Sequence, residues 1–128
     1  MTHHNAFAVT LTTTDEAAYV PFTVGNSYRM MSDAVGGMIE CVHIKNGIDM
    51  WCNEEGIMLG LPYNPTATAI YWTTFGFMSG TIFGDVIFTS CDGMGETTSL
   101  TMEQVNYLKT IAFDVVGIEI DSTLLSLV

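Results

Sequence analysis

Residues 39–52 read Ile39-Glu40-Cys41-Val42-His43-Ile44-Lys45-Asn46-Gly47-Ile48-Asp49-Met50-Trp51-Cys52, two apolar runs on either side of Asn46-Gly47. Asn-Gly between β-formers is a strong short hairpin signal, because a type I′ turn needs positive φ at both central positions. A two-residue turn pairs strands 39–44 and 48–52 with Cys41 opposite Cys52, Val42 opposite Trp51 and His43 opposite Met50. Side chains alternate along a strand, so Cys41, His43, Met50 and Cys52 fall on one face in this register. Such soft ligands can hold zinc or Cu(I). A sheet face of Cys, Met and one His is more often plain core, so no metal ligand is assigned.

Upstream of the hairpin, residues 7–12 alternate apolar and small polar side chains as a half-buried strand does. Residues 18–24 form a second strand, and Pro21, which lacks a ladder donor, puts it at a sheet edge. The two pair as a hairpin across Thr14-Asp15-Glu16. Asn26 or Ser27 caps a helix that places Tyr28, Met31, Val35 and Met38 on one face, and Gly36-Gly37 ends it. Downstream, a loop over 53–63 leads to Asn64-Pro65, an N-cap followed by proline at the first helical position. Ala67, Ile70 and Tyr71 face inward from that helix. Residues 82–90 read as a core strand in which Gly84 allows close approach of another group. Asp92-Gly93-Met94-Gly95 is a turn. Thr101-Met102-Glu103-Gln104 fits a capping box for a helix over 102–112, with Val105, Leu108 and Ala112 in one stripe. Residues 113–120 fit a strand or an extension of that helix, and the apolar tail 113–128 is expected to pack on the body or on a second subunit. Strands and helices in this order imply an α+β fold: a small mixed or antiparallel sheet of about five to six strands with two to three helices packed on it.

At 128 residues the chain has the length of a single domain, 1–128. Apolar runs are broken by Asn, Pro and Gly well short of the roughly 18 residues of a membrane span. Residues 1–5 lack the basic start and apolar core of a secretory signal, so a cytoplasmic location is expected. The net charge of −11 arises from 14 acids against only Arg29, Lys45 and Lys109. Three cations cannot track a phosphate backbone, which argues against direct nucleic-acid binding. The acids are too scattered for a DNA mimic. Cys41, Cys52 and Cys91 form no C-x-x-C pair, which fits reduced, buried thiols rather than a disulfide framework.

Four short motifs follow one another: Gly36-Gly37-Met38-Ile39-Glu40, Asn53-Glu54-Glu55-Gly56, Asn64-Pro65-Thr66-Ala67 and Phe83-Gly84-Asp85. Their order resembles the small bacterial and phage proteins grouped as domain of unknown function 3846, over roughly residues 7–108. The resemblance implies a bacterial or phage-infected host cell and no settled activity. Asn53-Glu54-Glu55-Gly56 is the clearest of the motifs and follows directly on a strand, where loop residues are presented rigidly. Its expected role is a polar pocket in which Asn53, Glu54 or Glu55 and Asn64 hydrogen-bond a small ligand, with Trp51, Tyr63 or Tyr71 stacking on a flat ring. Helix amides at residues 65–67 could receive a phosphate. The competing expectation is local: Asn53 and Glu55 satisfy turn amides, Gly56 supplies positive φ, and Asn64 only caps its helix.

Other constellations are weaker. Residues 92–103 end on an acid as a calcium loop does, but Met94 and Thr97 stand where a ligand and the turn glycine belong. Gly93-Met94-Gly95 lacks the remaining dinucleotide-binding features. No nucleophile elbow is present. Glu54 and Glu55 could pair with Asp85 in a small hydrolase, yet neighbours on an extended segment point to opposite sides. The expectation is therefore a non-enzymatic binding protein without cofactor, a phage accessory factor that sequesters a host nucleotide or metabolite signal. An acidic interaction module or decoy that inhibits a host defence protein is the alternative. A mean hydropathy of +0.35 and the apolar tail further suggest a homodimer or higher homo-oligomer.

Overall fold

The computed structural model describes residues 5–112. Strands β1 (Ala6–Leu11) and β2 (Ala17–Phe22) precede helix α1 (Ser27–Val35), then β3 (Ile39–His43) and β4 (Ile48–Asn53). Helix α2 (Pro65–Phe75), strands β5 (Val86–Cys91) and β6 (Thr97–Thr98), and helix α3 (Met102–Ile111) follow. The strands make one antiparallel sheet in the order β2-β1-β5-β4-β3, with β6 on the end of β5. This is the α+β architecture that the order of apolar runs implies. Among the described residues no helix is long and apolar enough to cross a membrane.

Strand alternation gives the sheet two buried faces. Val9, Leu11, Ile48, Met50, Val86 and Phe88 point to one side and pack with Ala67 and Ile70 of α2 and with Val105, Leu108 and Ile111 of α3. Ala6, Ala8 and Ile87 point to the other and meet Met31 and Val35 of α1. Burying both faces makes β5 a near-continuous apolar strand, as its sequence Val-Ile-Phe shows. The helix ends are set locally. Thr101 and Gln104 form both bonds of the capping box, and Asn64 accepts from the Ala67 amide ahead of Pro65. Gly36 closes α1 in the left-handed conformation with φ 79°, donating to the Ser32 carbonyl.

Several expectations are corrected. The β3–β4 register is one residue off the expected one: Cys41 faces Trp51, Val42 faces Met50 and His43 faces Asp49. The reversal uses three residues, Lys45–Gly47, with Asn46 and Gly47 at φ 63° and 70°. Asn-Gly supplies two left-handed positions in either arrangement, and Ile44 bonding to the Ile48 carbonyl selects the longer one. A one-residue shift flips faces, so Met50 and Cys52 enter the α2–α3 core while Cys41 and His43 lie on the opposite side. In α1 the inward stripe is Met31 and Val35 with Met30 and Ala34, whereas Tyr28 and Met38 are exposed. Met38 lies beyond the helix-ending glycine, and Asn26 stands at the N-cap without a side-chain bond. The run 82–90 is not one strand. Gly84 bends it at φ +90°, leaving Phe83 bridged to Tyr63 and β5 starting at Val86. Expectations for residues 113–128 lie outside the described residues.

Gly84 also packs tightly: a Cβ there would sit 2.7 Å from Leu61 Cδ1. Gly84→Ala is expected to destabilise by about 2–4 kcal/mol, combining left-handed strain with overpacking. Gly25→Ala, at φ +96° with open space around it, should cost only the strain component, about 1 kcal/mol. Urea denaturation of both variants measures the difference.

Candidate functional site

Where edge strand β3 meets the turn after β4, an open cleft of about 720 Å³ lies against the C-terminal half of α2. Residues 53–61 wind into a series of turns, with Gly56 donating to the Asn53 carbonyl and Leu59 to the Glu55 carbonyl. A turn, unlike an extended segment, lets neighbouring side chains share a side, and both Glu54 and Glu55 line the cleft. Glu40 of β3 is the third carboxylate, and Tyr71, Phe75 and Phe83 supply the rings. No hydrogen bond between described residues engages the three carboxylates, and none of the chain's cations is among the lining residues. Tyr71 is fixed by Phe75, their ring centroids 4.5 Å apart, and by Gly80, where a Cβ would come within 2.9 Å of Tyr71 Cε1.

The remaining residues expected at a pocket serve the fold. Asn53 borders the cleft, but its amide donates to the Val35 carbonyl at 3.1 Å and its oxygen accepts from Glu55 N at 2.8 Å. Asn64 is fully buried away from the cleft. Its oxygen accepts from Ala67 N at 3.0 Å, and its amide donates to the carbonyls of Leu11 at 3.2 Å and Gly84 at 2.9 Å. Trp51 lies on the α1 side of the sheet and donates to Thr89 Oγ1 at 2.8 Å. Tyr63 stacks edge-on against Phe83 and does not line the cleft. Asp85 accepts from Thr13 N at 3.0 Å in a separate, smaller hollow, so it forms no pair with Glu54 or Glu55. Gly56 does not adopt positive φ; a Cβ there would lie 2.9 Å from the Phe83 carbonyl oxygen. The start of α2 offers no phosphate cradle, since Asn64 occupies the Ala67 amide and Thr66 Oγ1 donates to Asp15 at 2.9 Å.

A second polar cluster lies on the α1 face of β3 and β4, and two of its residues, Cys41 and His43, also border the cleft. Asp49, 4% exposed, is hydrogen-bonded to His43 Nδ1 at 2.6 Å, and Cys41 Sγ stands 3.8 Å from the same nitrogen. Burial, and then the Asp49 carboxylate, push the Cys41 thiol up to about 12. Burial, and then Glu40, push Cys52 up to about 11. Cys41 and Asp49 address one imidazole nitrogen, whereas a thiol–imidazole–carboxylate relay needs one partner on each.

The sequence profile of the family described as Domain of unknown function (DUF3846) matches residues 8–112. The chain belongs to the DUF3846 family. No curated protein and no solved structure matches it. All four DUF3846-like motifs map to joints around β3, β4, α2 and the approach to β5, and three of them reach the cleft, through Glu40, through Glu54 and Glu55, and through Phe83. Phe75 and Phe83 were missed as site residues because each reads as ordinary core beside an apolar run. Asp49 carried a signal that was passed over: it is an acid inside the apolar run Ile48-Asp49-Met50-Trp51.

Two outcomes follow for this DUF3846 chain. Asn64→Asp keeps the cap acceptor but sets a carboxylate against two carbonyls, and should cost more than about 3 kcal/mol in urea denaturation. In chelator-treated, reduced protein at pH 8, Cys41 and Cys52 should alkylate at least about a hundredfold more slowly than an ordinary thiol, because so little thiolate is present. Peptide mapping after timed iodoacetamide exposure measures both rates.

Proposed function

We propose that the chain is a non-enzymatic binding protein whose cleft sequesters a small, flat, donor-rich host metabolite, in keeping with a phage accessory role. The observation that carries this reading is the lining: among the described residues, three carboxylates outside any hydrogen bond, three aromatic rings and no lysine or arginine meet in one hollow. Carboxylates accept from ring N–H, amine or hydroxyl groups, and the rings stack on a planar body. A nucleobase, a nucleoside or an aromatic amine fits this chemistry. A phosphate-rich nucleotide does not, because its charge would face Glu40, Glu54 and Glu55 in a partly desolvated space. A volume of about 720 Å³ lies within the range of small-molecule sites.

A second reading, an acidic module that occupies a host protein, is favoured by one observation. Ile57, Met58 and Leu59 after β4, and Phe75, Phe77 and Met78 at and just beyond the end of α2, are all exposed beside the cleft. Exposed apolar residues rimmed by acids are a feature of protein interfaces.

Thermal melting against nucleobases, nucleosides, aromatic amines and ATP separates the readings. A bound nucleobase or amine at a hundredfold excess over Kd should add about 2.7 kcal/mol, a Tm rise on the order of 10 °C. Glu54→Gln and Glu55→Gln should each weaken that binding about tenfold or more while leaving the unliganded Tm nearly unchanged. A shift with ATP alone, or no shift together with no small molecule retained in native mass spectrometry, overturns the sequestration reading. Stoichiometric capture of a host protein that survives both substitutions favours the second.

A further inference from the structure

We propose that Cys41 Sγ, His43 Nδ1 and a carboxylate oxygen of Asp49 bind a divalent transition metal of the zinc class, with a fourth position left to solvent. The three donor atoms all lie within 4.8 Å of one another. Around a tetrahedral ion with bonds of about 2.0–2.3 Å, donors stand about 3.2–3.7 Å apart. The Sγ to Nδ1 separation of 3.8 Å already matches, and the Nδ1 to Oδ1 contact of 2.6 Å must open by roughly 0.6 Å. Rotation of the His43 ring supplies that movement, since its side chain is 79% exposed and little packs against it.

The backbone holds the set in place. His43 and Asp49 are direct cross-strand partners, and Cys41 lies two residues from His43 on the same face, so ladder hydrogen bonds fix all three. Charge balance favours occupancy. Asp49 is buried on an interior strand, and among the described residues its sole ion-pair partner is His43. Buried carboxylates are ordinarily paired with a full cation or bound to a metal. A thiolate, a carboxylate and a divalent ion sum to zero, with the Cys41 proton released to solvent. The mixture of sulfur, nitrogen and oxygen donors selects zinc over magnesium or calcium, which take oxygen.

The site needs no cleft ligand, so it is tested with the metal alone. Reduced, chelator-treated full-length protein is titrated with Co(II), and the sulfur-to-cobalt charge-transfer band is followed. The expected result is one equivalent per chain, displaced by zinc, with the band abolished in Cys41→Ser. His43→Gln should weaken binding by more than about a hundredfold, beyond what loss of an outer partner usually costs. Both positions are on an edge strand and incompletely buried, so circular dichroism should show these variants folded even where Asp49→Asn is not. Absence of the band at stoichiometric cobalt, or a band that persists in Cys41→Ser, overturns the proposal. Cobalt bound without sulfur character, as His3 and His4 would bind it, overturns it equally.

Discussion

One buried amide ties the architecture together. Asn64 satisfies the first turn of α2 with its oxygen and the carbonyls of Leu11 and Gly84 with its nitrogen. It thereby joins the end of β1, the start of α2 and the bend before β5. Each bond contributes about 1 kcal/mol net, but a buried carbonyl left without a donor costs about 1–3 kcal/mol. The packing on the α2–α3 side depends on this joint, because Ala67 and Ile70 reach Val86 and Phe88 only if α2 begins where it does. The cleft depends on it in turn, since the same helix carries Tyr71 and Phe75 to the edge of β3.

Features encoded within four or five residues were legible in the sequence. The Thr101–Gln104 box, the Asn64-Pro65 start and the Gly36 stop each act through their own backbone, and each is found where its residue types place it. The β3–β4 register was not legible because both candidate loops use Asn46 and Gly47 with positive φ. Alternation could not arbitrate, since helices cover both sides of the sheet and apolar residues are welcome on either. Asp49 was the residue able to decide. In the expected register a buried acid would have faced Ile44; in the observed one it meets His43.

The site shows the same division. Glu54 and Glu55 were found through their motif, and they do share a hollow with Tyr71. Asn53 and Asn64, from the same motif set, are consumed by main-chain groups, which is the commoner fate of an asparagine beside a turn or a helix start. What completes the lining comes from distant segments, Glu40 from β3 and Phe83 from the approach to β5, and no local spacing brings those together. The surface charge gains a meaning here: with so few lysines and arginines, the cleft carboxylates meet none of them among the described residues.

The two borders of the sheet are guarded unequally. On β2, Pro21 withholds a main-chain donor, which blocks the addition of another strand in register. On β3 no proline intervenes, and Glu40 and His43 are the side chains that discourage it. Self-association of the native protein into extended ribbons, where it occurs in concentrated or high-salt solution, would therefore start along β3 and run edge to edge, burying the entrance to the cleft as it grew.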